Sequence, residues 1–419
     1  MSSTAQSSSE RITCIKCKSS SSNIKIRQAN FCKACFLINF ITKFKSNLSK
    51  TSTPLEDERA QFMVAFSGGP SSRALLELAC RFQTPSETGK LHQKYTDLQI
   101  AHIDETALFP DINEPAIISI IETYSFKSNT NKLEDIFSID EYSNYFQTTD
   151  LSSSSNCILS HINPDIQSSP KNLLINLFKN IKSVTSREYM LTHIKNYLIL
   201  KLAKSAGCQI AVVGDSSTKI AFNSILGISQ GRGFSMPFDV SGESQLDPQV
   251  YVLRPLKSSL SKEIAYYNHI MGLKSVSSLT FTTKAIGSNV SLAHTTEAFM
   301  NTLDLGYSAT IPTVTSTVSK LKISSEILNN KDLNICIVCS THVSTLSRSW
   351  RSNFSLDSLD TNNKIVESDT VPKTDSDSNQ VNVSEMLCYA CTTLMNDINP
   401  GTVLPGFFFS KYELNNLKN

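Results

Sequence analysis

The chain alternates between short, wholly apolar runs and longer stretches in which apolar residues recur every three or four positions. Phe62–Phe66 (FMVAF) is the first such run, and five consecutive apolar residues predict a buried strand. Ser67–Ser72 (SGGPSS) then reads as a turn. Arg73–Phe82 has helical spacing, with Leu75, Leu76, Leu78 and Ala79 on or near one face. Leu98–Ile103 predicts a second strand ending at Asp104, and Pro115–Tyr124 a second helix. A long helix is expected from about Ser186 to Ala206, then a third strand, Gln209–Val213, ending at Gly214 and Asp215. A helix from about Thr218 to Leu226, a strand edge at Val252–Leu256 and a helix at Ser261–Met271 complete the pattern. Strands alternating with helices predict an α/β fold built of βαβ units around a mainly parallel sheet.

The polar stretches set the boundaries. Residues 1–10 carry no packing pattern and are expected to be disordered, as is the low-complexity acidic and polar segment 351–384. Residues 41–60 read as a basic, partly helical connector, and 126–170, with Ser152–Ser155, as a polar insertion. The expected organisation is an N-terminal zinc module at 11–40, an α/β domain at 61–300 interrupted by 126–170, and a C-terminal zinc module at 330–419. No apolar run approaches the ~18 residues of a membrane span, and the first residues lack the apolar core of a secretory signal. A cytoplasmic protein without membrane contact is therefore expected, in a compartment where thiols stay reduced.

Cysteine spacing adds the first candidate chemistry. Eight of the eleven cysteines form four C-x-x-C pairs: Cys14/Cys17, Cys32/Cys35, Cys336/Cys339 and Cys388/Cys391. Random placement would give only ~0.3 such pairs, so the spacing is built. Two intervening residues form a tight knuckle that points both thiolates at one ion, and two knuckles complete a tetrahedral site. Fourteen residues separate the first two pairs and forty-eight the last two, most of that gap being Ser/Asp/Asn-rich. Disulfides conflict with a reducing compartment, and a redox C-x-x-C occurs once per domain. Two closed, structural zinc sites are the expectation. Of the remaining cysteines, Cys80 and Cys208 read as small buried hydrophobes, and Cys157 has no assigned role.

Charge changes the picture only locally. The whole chain carries +2, yet Glu10–Lys50 holds nine basic residues and one acidic residue. That asymmetry favours a polyanionic partner, the other reading being a solvated lysine-rich surface.

The turn after the first core strand is the second candidate site. Gly68 and Gly69 allow the backbone close to a ligand, Ser67, Ser71 and Ser72 add hydroxyl donors, and the following helix N-terminus favours a phosphate. A plain βα turn is the other reading. The loop lacks the lysine of G-x-x-x-x-G-K-[ST] and is not G-x-G-x-x-G.

The loop resembles the S-G-G-x-D-S loop of the PP-loop ATP-pyrophosphatase superfamily, with Ser71 in the place of its acid. Cysteine knuckles on both sides of such a domain resemble the cytosolic tRNA thiolation proteins, and the degenerate loop is most similar to the cytoplasmic tRNA 2-thiolation protein 2 family. The stretches Val64–Leu75, Val213–Ala221, Gly231–Pro237 and Arg254–Lys257 with Lys262 and Glu263 carry the resemblance. It implies a PP-loop fold and a subunit required for 2-thiolation of the wobble uridine in tRNA. It also implies a heterodimer with a catalytic PP-loop thiolase that takes sulphur from a thiocarboxylated ubiquitin-related modifier. The nucleotide-binding residues carried over are Ser67, Gly68, Gly69, Ser71, Ser72 and Asp215, with ATP and magnesium as the superfamily's cofactors, an expectation weakened by the lost acid. Asp104 and Asp215 are magnesium candidates if that site is retained, and loop or capping acids otherwise. Catalytic relatives carry two further sulphur-handling cysteines, and the matching stretches here, Ser183–Glu188 and Ser275–Phe281, have none. No catalytic residue is therefore expected. Lys16, Lys18, Lys25, Arg27 and Lys33 are the expected tRNA contacts, with Lys219, Arg232 and Lys257 as possible additions on the core. A self-sufficient adenylating enzyme and a zinc-ribbon RNA-binding scaffold are the alternatives.

Overall fold

The structure is a computed structural model that describes residues 13–49, 60–83, 95–137, 146–150, 158–162, 169–241, 243–247, 249–277, 280–281, 290–321, 334–343 and 387–408. The expectations of disorder at 1–10 and 351–384, and Cys157, lie outside the described residues. The chain divides into two compact units. The first comprises Met1–Leu133, Ile194–Ser229 and Gly233–Lys322; the second comprises Glu134–His193, Gln230–Arg232 and Ile323–Asn419.

In chain order the first unit opens with a hairpin, β1 (Ile24–Ile26) and β2 (Ala29–Phe31), and the helix α1 (Lys33–Ser49). Then come β3 (Ala60–Ala65), α2 (Pro70–Gln83), β4 (Tyr95–Asp104), α3 (Glu114–Glu122) and β5 (Lys127–Lys132). In the second unit follow β6 (Phe146–Asp150), β7 (Ile158–Ile162) and α4 (Pro170–Asn180). Helix α5 (Val184–Ser205) begins in the second unit and ends in the first. The first unit resumes with β8 (Ile210–Val212), α6 (Ser217–Ser229), α7 (Met236–Val240), β9 (Glu243–Asp247), β10 (Val250–Leu253), α8 (Ser261–Met271), α9 (Leu292–Gly306) and α10 (Thr310–Val318). The second closes with β11 (Asn334–Ile335), β12 (His342–Val343), α11 (Tyr389–Asn396) and β13 (Val403–Leu404).

Five parallel strands form the core sheet in the order β5-β4-β3-β8-β10, with β9 antiparallel on the edge beside β10. Strand β3 is central, Val64 standing opposite both Ile100 and Val212. Its side chains alternate between two layers. Phe62 and Val64 pack with α1, α2 and α8 on one face, while Met63 packs with Leu202, Ala203 and Ala211 on the other. A strand covered on both faces has no polar positions, which is why the apolar run in the sequence is unbroken.

One expectation is extended and another corrected. The connector read at 41–60 as partly helical is helical at 41–49, within α1, and its residues 50–59 lie outside the described residues. The residues Phe36, Phe40, Phe44 and Leu48 of α1 repeat every fourth position and are all at most 2% exposed. Phe40 stacks on Tyr267 of α8 at 4.8 Å. Lys43 pairs with the fully buried carboxylate of Glu263 at 3.0 Å, and Asn47 donates to the carbonyl of Pro255 at 2.8 Å. The N-terminal module is thus anchored on the sheet domain through α1. The polar stretch from 126 is likewise not all insertion: β5 (KSNTNK) pairs along its whole length with β4. An edge strand is held by backbone hydrogen bonds, so apolar alternation is not required of it.

In the second unit, β13 extends the β6–β7 hairpin, and Ile181 bridges Ile398. Ser183 and Ser186 both donate to the Asp397 carboxylate, the latter at 2.5 Å. These bonds fasten the start of α5 to the end of α11. Replacing Lys43 by Met leaves Glu263 buried without its cation. The expected loss is about 2–3 kcal/mol in chemical denaturation, the low end for a broken buried pair because Lys43 is partly exposed. The double variant K43M/E263M should recover most of it, and an unchanged single variant would contradict the anchoring role.

Candidate functional site

The loop Ser67–Ser72 leaves the central strand and enters α2 at Pro70, whose missing N–H costs nothing at a first helical position. Gly68 sits at φ +78°, and a Cβ there would lie 2.9 Å from Ile117 Cγ1, so the position is restricted to glycine twice over. At the end of β8, a Cβ on Gly214 would come within 3.1 Å of the backbone of Ser71 and Ser72. The loop therefore rests on the neighbouring strand end. Ser72 is buried, accepts from the Ser67 N–H at 3.3 Å and donates to the Gly69 carbonyl at 3.0 Å, closing the turn from within. Val276 N–H binds the Gly68 carbonyl, and the Asn268 amide binds that of Pro70, each at 2.9 Å. Ser67 is exposed and Ser71 partly so.

The two strand-end acids are both engaged. Asp104 accepts from Thr106 N–H at 2.8 Å, the local bond of a loop acid. Asp215 pairs with the buried Arg254 at 3.1 Å, and Arg254 also donates to the Ser241 carbonyl and the Ser244 hydroxyl. A group that sequence reasoning missed lies beneath the loop. His102 Nδ1 stands 2.8 Å from the Phe66 carbonyl and Nε2 stands 2.7 Å from Glu114. A carbonyl can only accept, so Nδ1 carries the hydrogen and donates to Phe66. Only the positions of two polar residues at the ends of predicted elements hinted at it.

The cysteines converge as two sets of four, Cys14/Cys17/Cys32/Cys35 and Cys336/Cys339/Cys388/Cys391, each with all four sulphurs within 4.8 Å of one another. Cys17 and Cys32 are 3.9 Å apart, and Cys339 and Cys388 3.7 Å. A tetrahedron of thiolates at ~2.3 Å from one ion has edges of ~3.8 Å, so both sets fit a single tetrahedral metal. They share one plan. Lys18 and Ser340, each directly after a knuckle's second cysteine, take positive φ (57° and 62°) and donate to the carbonyls of Cys14 and Cys336, both at 2.9 Å. The second pair of each set opens a helix, α1 or α11, and there the neighbouring sulphur of Cys32 pushes the Cys35 thiol up to about 12. Hydrogen bonds from Ser19, hydroxyl first and then backbone, lower the Cys17 thiol to about 5. Cys339 is held well below the ordinary thiol range by the other sulphurs of its set, Cys336 first, with the Arg232 guanidinium acting in the same direction. Cys80 and Cys208 behave as the sequence suggested: burial raises them to about 12 and about 11.

Lys16, Lys18, Lys25, Arg27 and Lys33 are all exposed around the first set. On the core Lys219 is exposed and Lys257 partly so. Arg232 is a correction. It is only 8% exposed, on the side of its turn that faces the second cysteine set, and is not a surface phosphate contact.

Residues 291–393 match the family described as Cytoplasmic tRNA 2-thiolation protein 2. The protein of that name from Xenopus tropicalis is 26% identical over 369 residues, 76% of this chain and 70% of the relative. The one from Homo sapiens is 24% identical over 350 residues, 74% and 67% of the two chains. Over most of its length the chain is similar to proteins of that name. Its fold is similar to that of a U34-tRNA thiolase of Methanococcus maripaludis solved with its 4Fe-4S cluster, with a TM-score of 0.52 and 14% identity over 78% of this chain and 96% of the other. That likeness supports the α/β fold of the PP-loop type. Among the described residues no helix is long and apolar enough to cross a membrane.

The thiols separate by environment. After metal removal at pH 7, iodoacetamide should alkylate Cys17 first, since a thiol at about 5 is thiolate there. Lowering the pH through 5 should remove that advantage. Cys80 and Cys208 should stay unmodified until the chain unfolds, as peptide mass spectrometry would record. Early labelling of Cys80 would contradict its burial.

Proposed function

We propose that this chain is the supporting subunit of a cytoplasmic enzyme that 2-thiolates the wobble uridine of tRNA. In this reading it pairs with a catalytic PP-loop thiolase that receives sulphur from a thiocarboxylated ubiquitin-related modifier. The observation that carries the proposal is a phosphate loop kept in shape but emptied of chemistry. Its glycines and turn persist, yet Ser71 replaces the acid, Ser72 is used to close the turn, and Asp215 is tied to Arg254. The sequence also offers no thiol where sulphur would be handled. At Ser183–Glu188, Ser183 and Ser186 instead serve as structural donors to Asp397. A thiolate is the group that carries sulphur as a persulfide, so transfer must occur on another chain.

Both cysteine sets are proposed to hold zinc as closed structural sites. Four thiolates at tetrahedral spacing leave no open position for substrate, so the ion supplies folding energy rather than a reactive water. The exposed ring of Lys16, Lys18, Lys25, Arg27 and Lys33 is proposed to grip tRNA phosphates, with ATP and its magnesium handled mainly by the partner.

Purification from native cells tests the assignment. Co-capture of a second PP-loop protein and tRNA is expected; a homo-oligomer with neither would argue for a scaffold of another kind. The chain alone should neither hydrolyse ATP nor thiolate tRNA, and turnover by it would favour the self-sufficient adenylating enzyme. Changing the five basic residues to Ala should weaken tRNA binding across sequences alike. The slope of log affinity against log salt should become shallower by roughly 0.7–0.9 for each phosphate that is no longer neutralised. An unchanged slope would remove this face from the tRNA site.

A further inference from the structure

The two cysteine sets differ in how their charge is handled. A divalent ion with four thiolates carries a formal charge of −2, and burying that charge uncompensated is costly. The N-terminal set lies at the surface: Cys17 is exposed, as are Lys16, Lys18 and Lys33, and water can screen it. The C-terminal set is interior. Cys336 and Cys391 are 0% exposed.

A cation is brought to the interior set by the turn after α6. Gly231, at φ +76°, is pressed so closely against Tyr389 that a Cβ would lie 2.5 Å from its ring. Tyr389 directly follows Cys388, so only glycine lets this turn approach the knuckle. The next residue, Arg232, is buried. Its guanidinium donates to the Tyr189 hydroxyl and lies 5.3 Å from the centre of that ring. The Tyr189 oxygen in turn stands 3.7 Å from Cys391 Sγ, and the edge of His193 packs on its ring at 4.3 Å.

The direction of these bonds follows from the groups. Guanidinium has no acceptor, so Arg232 donates and the tyrosine oxygen accepts. The phenolic hydrogen is then left to point at sulphur, and a metal-bound thiolate can only accept it. We infer that Arg232 and Tyr189 are the outer shell of the C-terminal metal centre, Arg232 offsetting its negative charge and Tyr189 donating a hydrogen bond to Cys391. The inference rests on the proposal that Cys336, Cys339, Cys388 and Cys391 hold one ion. It gives the basic Gly231–Gly233 turn a role inside the metal unit, not on tRNA. Arg232 and Tyr189 are positioning residues: Tyr189 touches a ligand, Arg232 touches Tyr189, and neither is assigned a substrate contact.

The test uses the full chain loaded with zinc or cobalt(II), the N-terminal set serving as an internal control and Cys14→Ser identifying its signal. Wild type should hold two ions, and a chain that holds one on the N-terminal set alone would overturn the two-site proposal itself. With two ions bound, Arg232→Met should weaken the C-terminal site alone, by about tenfold or more in chelator competition, the size seen for outer-shell partners. The thiolate-to-cobalt charge-transfer band of that site should shift. Arg232→Lys, which keeps the charge, should restore most of the affinity, and Tyr189→Phe should shift the band with a smaller loss. If Arg232→Met only lowers the melting temperature and leaves the band and affinity in place, the inference is wrong. It is equally wrong if Arg232→Lys is as damaging as Arg232→Met, because then shape and not charge is what matters. If Arg232→Met does not fold, the lysine and phenylalanine variants decide by the same readouts.

Discussion

Four sulphur atoms within 4.8 Å of one another form an arrangement that repels itself as thiolates and gains little as thiols. A cation makes it favourable, and this chain builds it twice from the same parts: a knuckle closed by a positive-φ residue and a pair of cysteines opening a helix. Much of the architecture hangs on these two points. The N-terminal set fixes the start of α1, whose phenylalanine stripe and Lys43 dock on the sheet domain. The C-terminal set gathers segments that are far apart in sequence, with residues 181–193, 230–232 and 387–400 meeting around it.

The parallel sheet meets a different constraint. Its carboxyl ends present the loop after β3 between the ends of β4 and β8, the place where open α/β sheets bind ligands. Here that place is stabilised from within. Ser72 closes the loop, Ile117 lies against Gly68, Arg254 holds Asp215, and His102 with Glu114 supports the strand end beneath. A site that has turned its polar groups on each other keeps shape and rigidity.

Legibility in the sequence followed the range of the interaction. The cysteine sets were readable because each knuckle is local and its spacing encodes the geometry. The core strands were readable because burial on both faces leaves no polar residue in Phe62–Phe66. The stripe of α1 was present at every fourth position but masked by the lysines between its members. Strand β5 left no signal, since its six polar residues carry no apolar alternation and pair with β4 along the backbone ladder. The two misleading features were long-range. Arg232 reads as a surface cation until Gly231 meets Tyr389, and His102 reads as an ordinary strand residue until Glu114 reaches it. Neither contact has a periodicity to betray it.

The central claim is that this chain is needed for tRNA thiolation without performing its chemistry at the loop. The most direct measurement is the 2-thiouridine content of cytoplasmic tRNA, by mass spectrometry, in cells lacking the chain and complemented with variants. The modification should vanish without the chain and return with wild type. It should return equally with the loop hydroxyls removed by Ser67→Ala and Ser71→Ala, once circular dichroism has confirmed that these variants are folded. Thiolation that persists without the chain, or that is lost on removing those two hydroxyls alone, would contradict the account.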